Sequence, residues 1–217
     1  MTESLQSQES SFNLRQFLGR AEKFKRKIPV GLSCLIILET IRAWPQAPDL
    51  GNAKAINFIA CAVVLGRPGF NIKVTSQVNP EAAIPYGYLS PQTASGETRT
   101  ERDDIFTLGT MFFELLSQRC LFASDDDMRT IALVIGARVP RPSKYNPDVS
   151  PIIDQITLRM LAKNREDRFQ SLSELYHAML EVWAKEKPLT SHSEAIQFFK
   201  ELELISPSGT KKDLSPS

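Results

Sequence analysis

A mainly α-helical fold with one small β-hairpin is predicted by three features of this 217-residue chain. Apolar residues recur at three- and four-residue steps over most of its length, the period of amphipathic helices. Two of these stretches, 29–44 and the one opening at Asp103, are apolar on nearly every face, as core helices are. Only residues 55–75 change texture, to an apolar run, a Gly/Pro turn and an alternating run.

Residues 1–12 are rich in Ser, Gln and Glu and are expected to be a disordered leader. Leu14, Phe17, Leu18, Ala21 and Phe24 then form one helical stripe. Lys23, Lys25, Arg26 and Lys27 follow as a solvated basic end that suits the helix dipole. Pro29 takes a favoured place at the start of the second helix, which runs through Leu32, Leu35, Ile36, Ile37 and Ile41 to Trp44 and stops at Pro45. In the hairpin, Gly66, Arg67, Pro68 and Gly69 make the turn, and Ile72 and Val74 alternate with polar residues. A loop over 78–92 carries Tyr86 and Tyr88. The central helix from Asp103 follows, with Ile105, Phe106, Leu108, Phe112, Phe113, Leu115 and Leu116. Further helices are predicted at 127–138, 150–162 and 171–185. Asp125, Asp126 and Asp127 cap the first of these. The main domain is therefore 13–186. A helical extension occupies 187–205, with Ala195, Ile196, Phe198, Phe199 and Leu202 on one stripe, and 206–217 is a Ser/Pro/Lys-rich tail expected to be disordered.

Composition narrows the function. Lys plus Arg number 26 against 25 acidic residues, a net charge of +1. No overall field draws the chain to nucleic acid or an anionic membrane. The longest apolar run, 55–65, is half what a membrane helix needs and contains Asn57, and residues 1–10 lack a secretory pattern, so a cytoplasmic protein is expected. Cys34, Cys61 and Cys120 sit among apolar neighbours and read as buried reduced thiols. With two histidines, His177 and His192, and no CxxC pair, no metal site is expected. His177 reads as a surface or satisfied histidine, and Trp44 and Trp183 as packing residues.

Three motifs fall in register. Tyr88-Leu89-Ser90-Pro91-Gln92 resembles Y-x-(A/S)-P-E. Arg102-Asp103-Asp104-Ile105-Phe106-Thr107-Leu108-Gly109 resembles R-S-D-(I/V)-(Y/F)-S-L-G, and Phe113-Glu114-Leu115-Leu116 with Phe122 continues it. The run from Leu161 through Lys163, Asn164 and Asp167 to Arg168 and Phe169 resembles L-x-K-D-P-x-x-R-F. In order and spacing this resembles the C-terminal lobe of bacterial Ser/Thr protein kinases, over about 13–186. The resemblance implies a kinase C-lobe-like helical domain with the N-lobe absent.

Phosphoryl transfer needs charged groups that position ATP and its metal ions. The resemblance places Ala55, Ile56 and Asn57 at the catalytic H-R-D, Ala62 at its asparagine, and Ser76, Gln77 and Val78 at D-F-G. An amide has no useful proton affinity, a methyl group binds no metal, and a serine lacks the charge to hold magnesium. No Asp or Glu lies between Leu50 and Pro80, so a slipped register does not restore one. No glycine-rich phosphate loop is present either.

The scaffold residues remain. The resemblance pairs Gln92, where the family has glutamate, with Arg168, a neutral contact in place of an ion pair. It assigns to Asp104 the capping of the central helix and a tie to the backbone of the catalytic loop. The expectation is a catalytically inactive, pseudokinase-like domain acting as a regulatory or protein-binding scaffold. No cofactor, ATP, nucleic acid or membrane is expected. The partner is another protein or a second copy, on the exposed C-lobe surface. The alternative is an active kinase whose N-lobe comes from another chain.

Overall fold

A computed structural model describes residues 10–44, 61–66, 69–74, 86–186 and 191–204. Helix α1 (Leu14–Lys23) starts in a capping box: Asn13 Oδ1 accepts from the Gln16 amide at 2.8 Å, and Gln16 Oε1 accepts from the Asn13 amide at 2.9 Å. Helix α2 (Val30–Ala43) buries Leu32, Leu35, Ile36, Ile37 and Ile41, so its all-round apolar pattern reflects a position inside the core.

Strands β2 (Cys61–Gly66) and β3 (Gly69–Val74) pair antiparallel, with Cys61 opposite Val74 and Gly66 opposite Gly69. The hairpin is thus where the turn signal placed it, although its first strand begins at Cys61, and 55–60 lie outside the described residues. Strand β1 (Ser10–Asn13) adds to the free edge of β2, with Ser10 opposite Leu65 and Asn13 opposite Ala62. The end of the expected disordered leader is therefore ordered. Its polar sequence hid this because β2 supplies backbone partners, while Phe12 is buried at 3% exposure.

Short helix α3 (Pro91–Ala94) leads into the central helix α4 (Glu101–Ser117), which packs against α2. Gly109 lets α6 and its following turn approach α4, since a Cβ there would lie 2.9 Å from Met160 Cβ and Leu161 Cγ. Helices α5 (Asp127–Gly136), α6 (Pro151–Met160) and α7 (Leu172–Glu186) follow, and α7 closes on α2. Asp126 is the N-cap of α5 and accepts from the Arg129 amide at 2.7 Å. Helix α8 (His192–Glu201) folds back over β3. There Phe199 meets Phe12 edge-on at 4.9 Å between ring centroids and Phe17 at 5.4 Å. The basic run is bound in part rather than wholly solvated. Arg26 pairs with Glu201 of α8 and Lys27 with Asp148, each at 2.6 Å.

Cys34 is buried, but Cys120 is exposed, contrary to the sequence reading, because it lies in the loop after α4 ends at Ser117. The side chains of Cys61 and Trp183 lie outside the described residues. Trp44 is packed at 5% exposure, and exposed His177 has Nδ1 2.7 Å from the Ser173 carbonyl. Among the described residues, no helix is long and apolar enough to cross a membrane.

Candidate functional site

The groups that sequence and structure bring together sit where the loop before α3, the start of α4 and the turn before α7 converge. Among the described residues, Arg168 is the largest fully buried side chain, with a side-chain exposure of 0%. Burying a guanidinium costs several kcal/mol unless every donor is met. Here all five N–H donors have acceptors. Nε donates to the Ala162 carbonyl at 2.8 Å, and Nη1 to the Arg102 carbonyl at 3.0 Å and to Asp103 Oδ1 at 3.3 Å. Nη2 donates to Gln92 Oε1 at 2.6 Å and to the Lys163 carbonyl at 2.9 Å. The guanidinium lies 4.9 Å from the centroid of the Phe106 ring. Burial pulls its pKa down to about 10, which still leaves it protonated at neutral pH.

Gln92 thus meets Arg168, but the balancing charge comes from Asp103. That carboxylate is 2% exposed. It receives the Ser90 hydroxyl at 2.6 Å, the Thr100 amide at 2.7 Å, and Arg165 at both oxygens, at 3.1 and 2.8 Å. Burial alone would raise its pKa. The donors from Arg165, Ser90 and Thr100 outweigh that and hold it below the ordinary carboxylate range. The sequence marks Asp103 as the start of the central helix and as one letter of a motif, not as the partner of Arg168. Its signal was the spacing Thr100-x-x-Asp103, a capping-box pattern directly before an apolar helix.

The structure corrects the capping role of Asp104, while residues 55–60 of the loop it was also expected to tie lie outside the described residues. The N-cap of α4 is Thr100, and Asp104, fourth in the helix, lies too far along to meet the first free amides. It instead accepts from Trp44 Nε1 at 3.1 Å and from Arg99 Nε at 2.6 Å, tying α4 to the end of α2. Of the three degenerate positions, Asn57 and Ser76 lie outside the described residues. Ala62 is in β2, opposite Asn13 and Lys73.

A second buried acid faces a cavity of about 180 Å³ between α1, α4 and the loop after α4. Glu114, 5% exposed, accepts from the Tyr88 hydroxyl at 2.6 Å and from the Leu121 amide at 3.2 Å. Burial pushes its carboxyl above the ordinary value of 4.5 despite these donors. The folded chain therefore holds this proton more tightly than the unfolded chain does. The contribution is fully present below the unfolded pKa and is lost as pH rises through the folded one. Glu114→Gln is accordingly expected to remove part of the stability loss as pH rises over the range from 4.5 upward. Urea melts of both proteins across that range check this, and parallel pH curves would contradict it.

No protein-family model matches the chain. Curated relatives do. It is 29% identical to the serine/threonine-protein kinase PknB of Mycolicibacterium smegmatis over 137 residues, 63% of this chain and 21% of that protein. It is 30% identical to PknB of Mycobacterium tuberculosis over 137 residues, with the same shares. The chain is similar to part of a bacterial Ser/Thr protein kinase. It is also 31% identical to PrkC of Bacillus subtilis over 88 residues, 41% of this chain and 14% of that protein. The chain thus spans about a fifth of the length of the first of these relatives. The Arg168 cluster ties α3, the start of α4 and the turn between α6 and α7 to one another.

Proposed function

We propose that this chain is a catalytically inactive, kinase C-lobe-like module that serves as a regulatory or protein-binding scaffold. One feature carries the reading: the resemblance sets Asn57, Ala62 and Ser76, none of them charged, at the chemical positions, whereas all five donors of Arg168 are satisfied. A carboxylate that takes the substrate hydroxyl proton and one that holds magnesium are the groups phosphoryl transfer cannot dispense with. Neither depends on what precedes residue 1. Five satisfied donors on a buried guanidinium, by contrast, are what a maintained fold requires. A scaffold uses the helical surface and leaves the cleft idle.

The second reading is Ser/Thr kinase activity with the N-lobe supplied by another chain. The name of each relative supports it, since each is called a serine/threonine-protein kinase. Calorimetric titration of magnesium-ATP into the full chain, with and without a candidate N-lobe, separates the two. No binding heat is expected in either case. Binding together with phosphoryl transfer that is lost in Asn57→Ala or Ser76→Ala would establish the enzyme instead.

A further inference from the structure

A basic surface forms at the C-terminal end of α4. No Asp or Glu stands between Asp127 and Asp148, whereas Arg129, Arg138, Arg141 and Lys144 all fall in that stretch. The Lys144 amide donates to the Arg141 carbonyl at 3.1 Å, closing a single 3-10 turn over Pro142–Lys144. Residues three apart in such a turn lie one above the other, so Arg141 and Lys144 share a side. Asn146 fixes the turn to α4, donating from Nδ2 to the Leu116 carbonyl at 2.8 Å. Tyr145, 39% exposed, thereby lies beside Arg119, the second residue after α4. The Arg119 guanidinium sits over the Tyr145 ring, 5.5 Å from its centroid, and Lys144 Nζ sits over it at 5.6 Å.

Arg119, Arg141 and Lys144 are exposed, and among the described residues none of them takes part in an ion pair. The acids that follow in the chain are committed elsewhere. Asp148 pairs with Lys27, and Asp154 accepts from the amide and the hydroxyl of Ser143. The Tyr145 ring holds two cations in place without cancelling their charge. The dipole of α4 acts only about its last turn and so accounts for Arg119 at most, since Arg141 and Lys144 belong to a different loop.

The arrangement selects among anionic partners. Single-stranded nucleic acid needs an aromatic face free to stack on a base. Here the cations lie over the Tyr145 ring and Phe113 stands at 81° to it, so the ring is engaged by its neighbours. Duplexes and anionic membranes are held by larger clusters, about four to eight cations for a membrane surface, and the whole chain carries only +1. We propose that Arg119, Arg141 and Lys144 bind an acidic, Asp/Glu-rich segment of a partner protein. The proposal rests on the scaffold reading and names its partner by chemistry. Its failure would show in peptide binding, whereas failure of that reading would show in magnesium-ATP binding and transfer.

Fluorescence anisotropy of the full chain with a fluorescein-labelled peptide of alternating Glu and Gly tests this. Saturable binding is expected, weakening as salt rises because exposed charges are screened, and the same peptide with Gln for Glu is expected not to bind. Lys144→Glu and Arg119→Glu, both at exposed positions, are each expected to weaken binding about tenfold while the thermal melt stays close to the parent's. Lys163→Glu is expected to leave binding unchanged. Its carbonyl lies in the Arg168 cluster at the start of α4, a 17-residue helix whose two ends are about 25 Å apart. An acidic peptide that fails to bind up to about 1 mM would overturn the proposal. So would binding that survives Lys144→Glu and Arg119→Glu, an equal loss in Lys163→Glu, or tighter binding to a labelled oligothymidylate or to phosphatidylserine vesicles than to the peptide.

Discussion

Asp103→Ala is expected to lower the free energy of unfolding by about 3–5 kcal/mol, the cost of leaving a buried charge without its partner. Arg168 has no access to water, so it cannot recover solvation when Asp103 is removed. The same change frees the Thr100 amide and the Ser90 hydroxyl at the start of α4. Gln92→Ala removes only a neutral acceptor from Arg168 and is expected to cost less, about 1.5–3 kcal/mol. Urea unfolding of the two variants beside the parent gives the ranking. A larger loss for Gln92→Ala would place the charge balance of this cluster on the wrong residue.

The next largest effect is expected at the other end of the chain. Phe199 has 0% exposure and sits edge-on to Phe12 of β1 and Phe17 of α1. Phe199→Ala should cost about 3–5 kcal/mol, because the rings around it cannot close over the cavity. Aromatic pairing adds about 0.5–1.5 kcal/mol for each such contact. The loss should appear as a lower urea midpoint for the whole transition. Clean early cleavage before α8, with the remaining transition unchanged, would show that α8 is an appendage and not part of the core.

Much of this fold was legible in the sequence because it is written in helical period. The long helices α2 and α4 were visible as stretches apolar on every face, and the structure puts both in the core. The hairpin turn was visible from Gly66, Pro68 and Gly69. Strand β1 was not, because an edge strand takes its stability from a neighbour's backbone, and Ser10 and Ser11 carry no apolar alternation. The exposure of Cys120 was hidden for a similar reason: apolar neighbours do not show where a helix stops.

The site was legible in part. The motifs located Gln92 and Arg168, and the structure sets them 2.6 Å apart. They did not reveal that Asp103 supplies the charge balance, since a motif read letter by letter assigns partners by position, not by reach. Asp104 was misassigned as the helix cap for the same reason. Its carboxylate serves Trp44 and Arg99, side chains far from it in sequence or outside the motif.

The central claim is that this kinase-like chain has kept its scaffold without its chemistry. Titration of the full chain with magnesium-ATP, followed by assay for transfer of the γ-phosphoryl group, tests it most directly. The account expects neither binding nor transfer, with a cooperative melt confirming that the protein tested is folded. Saturable binding together with transfer that Asn57→Ala or Ser76→Ala abolishes would contradict it.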